Sequence, residues 1–139
     1  MAGFTFAYRL SGGAPTKQTL KAKDNETLSF GDMVNLETGE VDLGAAADAN
    51  FLGVIVSATV VAVDSTTDIE VITDADAVYS VTDANARLLG APLDITGATG
   101  AQGVTTASGK EFVVAAPSTA SQPTLVRFNV GKHHNNVAQ

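Results

Sequence analysis

Phe51-Leu52-Gly53-Val54-Ile55-Val56, followed after Ser57 by Ala58-Thr59-Val60-Val61-Ala62-Val63, is the stretch that decides the fold. β-Branched side chains fit a pleated strand, and the near-continuous apolar character places the stretch in the middle of a core. Working outward, Asp64-Ser65-Thr66-Thr67 turns into Asp68-Ile69-Glu70-Val71-Ile72-Thr73, and Asp74-Ala75-Asp76 leads to Ala77-Val78-Tyr79-Ser80-Val81. Their alternation, with Ile69 and Val71 on one face, predicts that these two segments pair as antiparallel neighbours.

Upstream, the turn Ser29-Phe30-Gly31-Asp32 opens a hairpin of Met33-Val34-Asn35-Leu36 with Val41 and Leu43, reversed at Glu37-Thr38-Gly39-Glu40. Residues 17–28 read as a strand and turn interrupted at Asp24-Asn25-Glu26, and 44–50 as one helical turn or a loop. Downstream, residues 82–90 predict a short helix capped by Thr82 or Asp83 and ended by Gly90. Ala91-Pro92-Leu93-Asp94-Ile95 is extended, residues 96–110 are a long exposed loop, and Phe112-Val113-Val114-Ala115 and residues 125–130 are closing strands.

The fold class expected is therefore all-β: a small β-barrel or β-sandwich-like domain with short helical turns. At the front, Phe4, Phe6, Tyr8 and Leu10 alternate with small or polar residues before Ser11-Gly12-Gly13-Ala14-Pro15. That pattern fits either an ordinary first strand or an extended N-terminal arm hinged at the glycines. The division expected is an arm at 1–16, a β-rich domain at 17–130 and a flexible C-terminal tail at 131–139, the last because it carries little apolar content.

Composition narrows the function. A chain of 139 residues suits one core, and 45% hydrophobic residues argue for an ordered body, but Phe occurs only 6 times and Trp not at all. A core thin in large side chains leans on a partner. The net charge of −7 is uneven: Arg9, Lys17, Lys21 and Lys23 crowd the front, while between Asp32 and Asp94 the sole basic residue is Arg87. An acidic body speaks against nucleic-acid binding, and only Arg9 beside Tyr8 and Phe6 mixes a cation with aromatics. Met1-Ala2-Gly3-Phe4 lacks a basic leader, and residues 51–63 are too short and interrupted to span a bilayer. A soluble product with no membrane partner is expected. Without cysteine there is no disulfide or thiolate metal site.

Candidate chemistry fails on spacing. Gly109-Lys110 is followed by Glu111 and preceded five positions earlier by Val104, so no phosphate loop forms. Asp74 with Asp76, and Asp64 with Asp68, are the carboxylate pairs to weigh as an acid/base or cation site against solvated turn residues. His133 and His134 read as an exposed pair in the tail, and Ser108 lacks a nucleophile elbow. The expectation is no enzyme, no catalytic residue, no cofactor and no metal.

Gly31-Asp32-Met33-Val34, Phe51-Leu52-Gly53-Val54, Ala77-Val78-Tyr79-Ser80-Val81 and residues 88–95, 96–109 and 125–130 together resemble the body of head decoration, or capsid cement, proteins of tailed bacteriophages. The resemblance implies a non-enzymatic β-rich virion protein, made in the bacterial host cytoplasm and gathered as a homotrimer on the outer surface of the capsid. There it bridges major capsid subunits and stabilises the shell. It further implies capsid-binding roles for Phe4, Phe6, Tyr8 and Arg9 on the arm and for Lys17, Lys21 and Lys23 against an acidic capsid surface. A tail, baseplate or receptor-binding virion module is the alternative, and a hydrolase built on Asp74 and Asp76 is the enzyme alternative.

Overall fold

The computed structural model describes residues 3–57, 60–61, 67–106 and 110–134. The chain forms thirteen strands: β1 (Phe4–Arg9), β2 (Lys17–Lys21), β3 (Thr27–Leu28), β4 (Met33–Glu37), β5 (Glu40–Leu43), β6 (Phe51–Val54), β7 (Val60–Val61), β8 (Asp68–Ile72), β9 (Ala77–Val81), β10 (Pro92–Thr96), β11 (Gly103–Thr105), β12 (Phe112–Ala116) and β13 (Thr124–Phe128). The largest sheet has six strands in the order β1-β9-β13-β12-β10-β11; β5-β4-β6 form a three-stranded sheet, and β2-β8 and β3-β7 are two-stranded. All named pairings are antiparallel.

Strand β6 earns its central place through both faces. All of Phe51, Leu52, Gly53 and Val54 are buried. Successive side chains point to opposite sides of a strand, but the β4–β6 register slips between Val34 and Asn35 and leaves Leu52 unpaired; across that bulge Phe51 and Val54 join one core while Leu52 and Ile55 join another. Strand β4 divides in the same way, Met33 to the first core and Val34 to the second. The first core lies under the six-stranded sheet around Phe4, Tyr79, Phe112 and Phe128. Its ring centroids lie 5.4–6.0 Å apart in stacked, tilted and edge-on pairs: Phe112 meets Phe4, Phe51 and Phe128, and Phe128 meets Phe51 and Tyr79. The second core, built of Ala22, Leu28, Val34, Val41, Leu52, Ile55, Ile69 and Val71, is ringed by the smaller sheets.

Several expectations are corrected. The all-β class holds, but among the described residues the sheets stay open and close into neither a small barrel nor a sandwich. Around the second core, Ala22 meets Val41 and Ile55 meets Val71 through isolated bridges only, and one residue pair does not carry a ladder, so the sheets stay open. The short helical turns expected at 44–50 and 82–90 do not form, and no α-helix occurs among the described residues. At 82–90 the reason is competition for the capping groups. The Asp83 carboxylate binds the Arg87 guanidinium at 2.6 and 3.2 Å, and the Arg87 backbone exchanges hydrogen bonds with Ser118 at 3.1 and 3.0 Å. The Ser118 bridge spends the Arg87 amide and carbonyl on a distant segment rather than on a helical turn, and the Asp83 carboxylate, accepting from the Thr124 hydroxyl at 3.1 Å, holds 82–90 there.

Strands β8 and β9 are not partners. β8 pairs with β2, and β9 lies between β1 and β13. The link between them crosses from one sheet to the other, fixed where Asp74 accepts the Thr16 amide at 2.7 Å and Asp76 accepts the Ser11 amide at 3.0 Å.

Both ends of the body are held more tightly than an arm and a tail imply. Phe4–Arg9 is an edge strand of the large sheet, and Phe4 is 1% exposed. Residues 131–134 are anchored through His133, which is fully buried. Its ring lies 5.1 Å from Phe128 and its Nε2 is 2.9 Å from the Leu52 carbonyl, while Phe51 donates to the Lys132 carbonyl at 2.9 Å.

The 96–110 segment is likewise not one long loop. It contains β11, and Gln102 is buried where its amide oxygen accepts the Met33 N–H at 2.6 Å and its amide nitrogen donates to the Met33 and Gly44 carbonyls at 3.1 Å each. Asp32 pins the turn before β11 from below, accepting from the Ser29 and Gly100 amides at 2.8 Å each and from the Thr99 hydroxyl at 2.5 Å. Residues 107–109 lie outside the described residues.

Candidate functional site

The front-end residues separate into core, surface and ion-pair groups. Phe4 is enclosed, its ring 5.4 Å from Phe112, and Phe6 packs edge-on to Tyr79 at 6.3 Å. A bulge follows: Phe6 pairs with Tyr79 and Tyr8 with Val78, leaving Ala7 unpaired. One extra residue reverses the side on which later side chains project. Tyr8 therefore emerges on the far face of the sheet, 42% exposed.

Arg9 is occupied. Its Nε lies 3.1 Å from Asp76 and 3.5 Å from Asp74, and its Nη1 donates to the Ala14 carbonyl at 3.4 Å. Hydrogen bonds from the Ser11 hydroxyl and amide, with those of Arg9, hold the Asp76 carboxyl down at about 2. Asp74 and Asp76 thus form a clamp closing the chain at 9–16 onto the β8–β9 link, instead of a carboxylate pair facing an open site. Asp64 lies outside the described residues, and Asp68 pairs with Lys21 at 2.5 Å.

Lys17 and Lys21 are exposed on β2. Lys23 spans Glu37 at 2.9 Å and Asp42 at 3.6 Å, and those acids raise its pKa. Beside it, partial burial and then Asp42 push the Glu26 carboxyl up to about 7. The structure does not bring the seven front-end residues onto one surface: Phe4 is inside the large-sheet core, Tyr8 lies on that sheet's outer face, and the lysines belong to the other layer.

His133 and His134 stand with ring centroids 4.6 Å apart. Burial, and then the neighbouring His134, lower the His133 pKa to about 4. Among the described residues no group of three or more His, Asp or Glu is placed to hold a metal ion, and no helix is long and apolar enough to cross a membrane. The Lys110 amide donates to the Asp94 carboxylate, which serves the β10–β12 connection.

Two surface features escape a residue-by-residue search of the sequence. Leu88 and Leu89 are 78% and 68% exposed. They begin a turn in which Ala91 donates to the Leu88 carbonyl at 3.1 Å and Gly90 takes a φ of 79°, a left-handed conformation that glycine tolerates best. The Asp83–Arg87 pair and the Arg87–Ser118 bridge brace that turn. Beside it an open depression of about 260 Å³ is lined by Thr82, Asp83, Ala120, Ser121, Gln122 and Pro123. The signal in the sequence is the adjacent leucine pair before Gly90, where a solvated turn calls for polar residues.

The second feature is the outer face of the six-stranded sheet. In register across it stand Tyr8, Val78, Arg127, Val113 and Pro92, one from each of β1, β9, β13, β12 and β10; Tyr8, Arg127 and Pro92 are exposed and Val113 half-buried, while Val78 is fully buried. A second row sets Thr5 against Ser80, Ser80 against Leu125, and Leu125 against Ala116. Arg127 is the single charge in the two rows. Compared with protein-family models and with curated proteins, the chain matches none.

Proposed function

We propose that this chain is a non-enzymatic capsid decoration protein that binds the outer surface of a phage head, as a homotrimer, and stabilises the shell by bridging major capsid subunits. The observation that carries the proposal is the exposed Leu88–Leu89 pair, 78% and 68% accessible on a turn held by an ion pair and a backbone bridge. Large apolar side chains presented on a braced turn lose little conformational freedom on docking, and adjoining exposed apolar groups mark a surface that a partner covers. With it goes the resemblance of the β-rich body to decoration proteins.

The mechanism is linkage rather than bond chemistry. A protein that binds the assembled lattice better than free subunits raises the stability of the lattice, and repeated contacts on a symmetric shell add avidity to each modest one. Tyr8 is retained from the front-end residues as a contact, since it is exposed; Phe4 belongs to the chain's own core.

Co-sedimentation with mature and precursor shells, with solution mass from light scattering, tests this. Saturable binding to mature shells by a species of three chains is expected, and Leu88→Ser with Leu89→Ser weakens it. No binding to either shell would remove the decoration function and favour a tail, baseplate or receptor-binding module.

A further inference from the structure

We infer that the outer face of the six-stranded sheet is the surface that seats on the shell, against an apolar protein surface presenting a carboxylate opposite Arg127. This rests on the decoration function proposed above and names the contact face and the chemistry of its partner.

The first argument is charge. Acidic residues outnumber basic ones by 15 to 8 in this chain. Arg9, Lys21, Lys23 and Arg87 each have a carboxylate within 3.1 Å. Arg127, like Lys17, Lys110 and Lys132, makes no ion pair among the described residues, and of these four it is the one exposed at the centre of the sheet-face row. Its neighbours in register are Val78, which is fully buried, and half-buried Val113, with the exposed Tyr8 and Pro92 beyond them. A lone guanidinium framed by uncharged side chains is complementary to a surface that is itself apolar around one acid. A sister copy does not meet that description, since the same face would set arginine near arginine.

The second argument is extent. Strand spacing makes the five-strand row about 20 Å across, and Pro92 at its end follows directly on the turn bearing Leu88 and Leu89. Such a face supplies several hundred Å², below the roughly 800 Å² per partner of a standard stable interface. One copy is thus a weak binder by itself, as suits a protein whose hold on a shell is multiplied by repeated contacts.

The experiment compares Arg127→Glu and Val113→Asp with Lys17→Glu, which makes the same charge change as the first on the other layer. Each is titrated onto mature shells assembled from the major capsid protein made alongside this chain, and each is measured for solution mass and melting temperature. Wild-type binding with about tenfold or greater weakening by Arg127→Glu and by Val113→Asp, and about twofold or less by Lys17→Glu, at unchanged mass and melting, is expected. Undiminished binding by both sheet-face variants, or equal loss in Lys17→Glu, overturns the face while the decoration function stands. A fall in solution mass in the sheet-face variants assigns the face to a sister copy and also overturns it. If wild-type protein binds no shell, the decoration function and the face fall together.

Discussion

Replacing His133 with glutamine should remove a large part of the acid sensitivity of this fold. The side chain is 0% exposed, and its Nε2 sits 2.9 Å from the Leu52 carbonyl between Phe128 and His134. Burial first, and the neighbouring His134 second, lower its pKa from 6.5 to about 4. The unfolded chain therefore takes up a proton near pH 6.5 while the folded chain refuses it until about pH 4. Above pH 6.5 the residue costs nothing. As pH falls through the interval the unfolded state gains, by about 2 kcal/mol at pH 5 and about 3 kcal/mol once both states are protonated. Glutamine keeps an amide to donate to Leu52 and takes up no proton. Urea unfolding of both proteins at pH 7, 6 and 5 gives the difference directly. Glu26, whose raised pKa makes the fold gain stability as pH falls from about 7, acts equally in both proteins and cancels. The gap between variant and wild type should narrow, or reverse in favour of the variant, by about 2 kcal/mol between pH 7 and pH 5. Two stability curves that run parallel over that range would refute the buried, neutral His133.

Phe4→Ala should destabilise the domain by about 3–5 kcal/mol in urea unfolding, as for other buried phenylalanines, and deleting residues 1–13 should give an unfolded or aggregating product by circular dichroism rather than a folded body without an arm. At Gly53 an added Cβ would stand 1.9 Å from the Ile72 carbonyl oxygen and 2.6 Å from the Tyr79 hydroxyl, so Gly53→Ala should lower stability by about 3 kcal/mol or more, at or above the upper end of the usual cost of overpacking because the clash is with backbone, and a melting temperature near wild type would contradict that contact. Gln102→Leu leaves the Met33 amide and the Gly44 carbonyl without their side-chain partner, while the Met33 carbonyl keeps the Gly44 amide at 2.9 Å; a loss of about 3 kcal/mol is expected from the two unsatisfied buried groups, measured by thermal melting.

What the sequence made legible was local. Strand positions at β4, β5, β6, β8, β9, β12 and β13 follow from alternation and turn chemistry, and the Thr38-Gly39 reversal, with φ of 47° and 83°, is the two-residue hairpin its composition suggests. Partnership was not legible. Ile69 and Val71 alternate equally well for pairing with β9 or with β2, and the choice is made by Asp74 and Asp76, whose carboxylates seize Thr16, Ser11 and Arg9 far away in the chain. The burial of His133 and Gln102 was hidden for a related reason: both look polar and solvent-facing until distant carbonyls at Leu52, Met33 and Gly44 supply their hydrogen bonds. At the candidate surface, Tyr8 was visible as an aromatic, but the bulge at Ala7 that turns it outward is a property of the β1–β9 register.

The order β1-β9-β13-β12-β10-β11 also dictates a schedule. Strands β2 to β8 find their partners within residues 17–72, so the layer around the second core has everything it needs early in synthesis. The large sheet does not. Its β9 and β12 are kept apart by β13, so the sheet stays in two pieces until Phe128 has left the ribosome. A nascent chain at residue 116 would carry a folded half beside unpaired strand edges, and long-range antiparallel pairing of this kind is slow to close. The interval between the emergence of β12 and the docking of β13 is therefore when this protein is most exposed to aggregation, and when a chaperone has most to do.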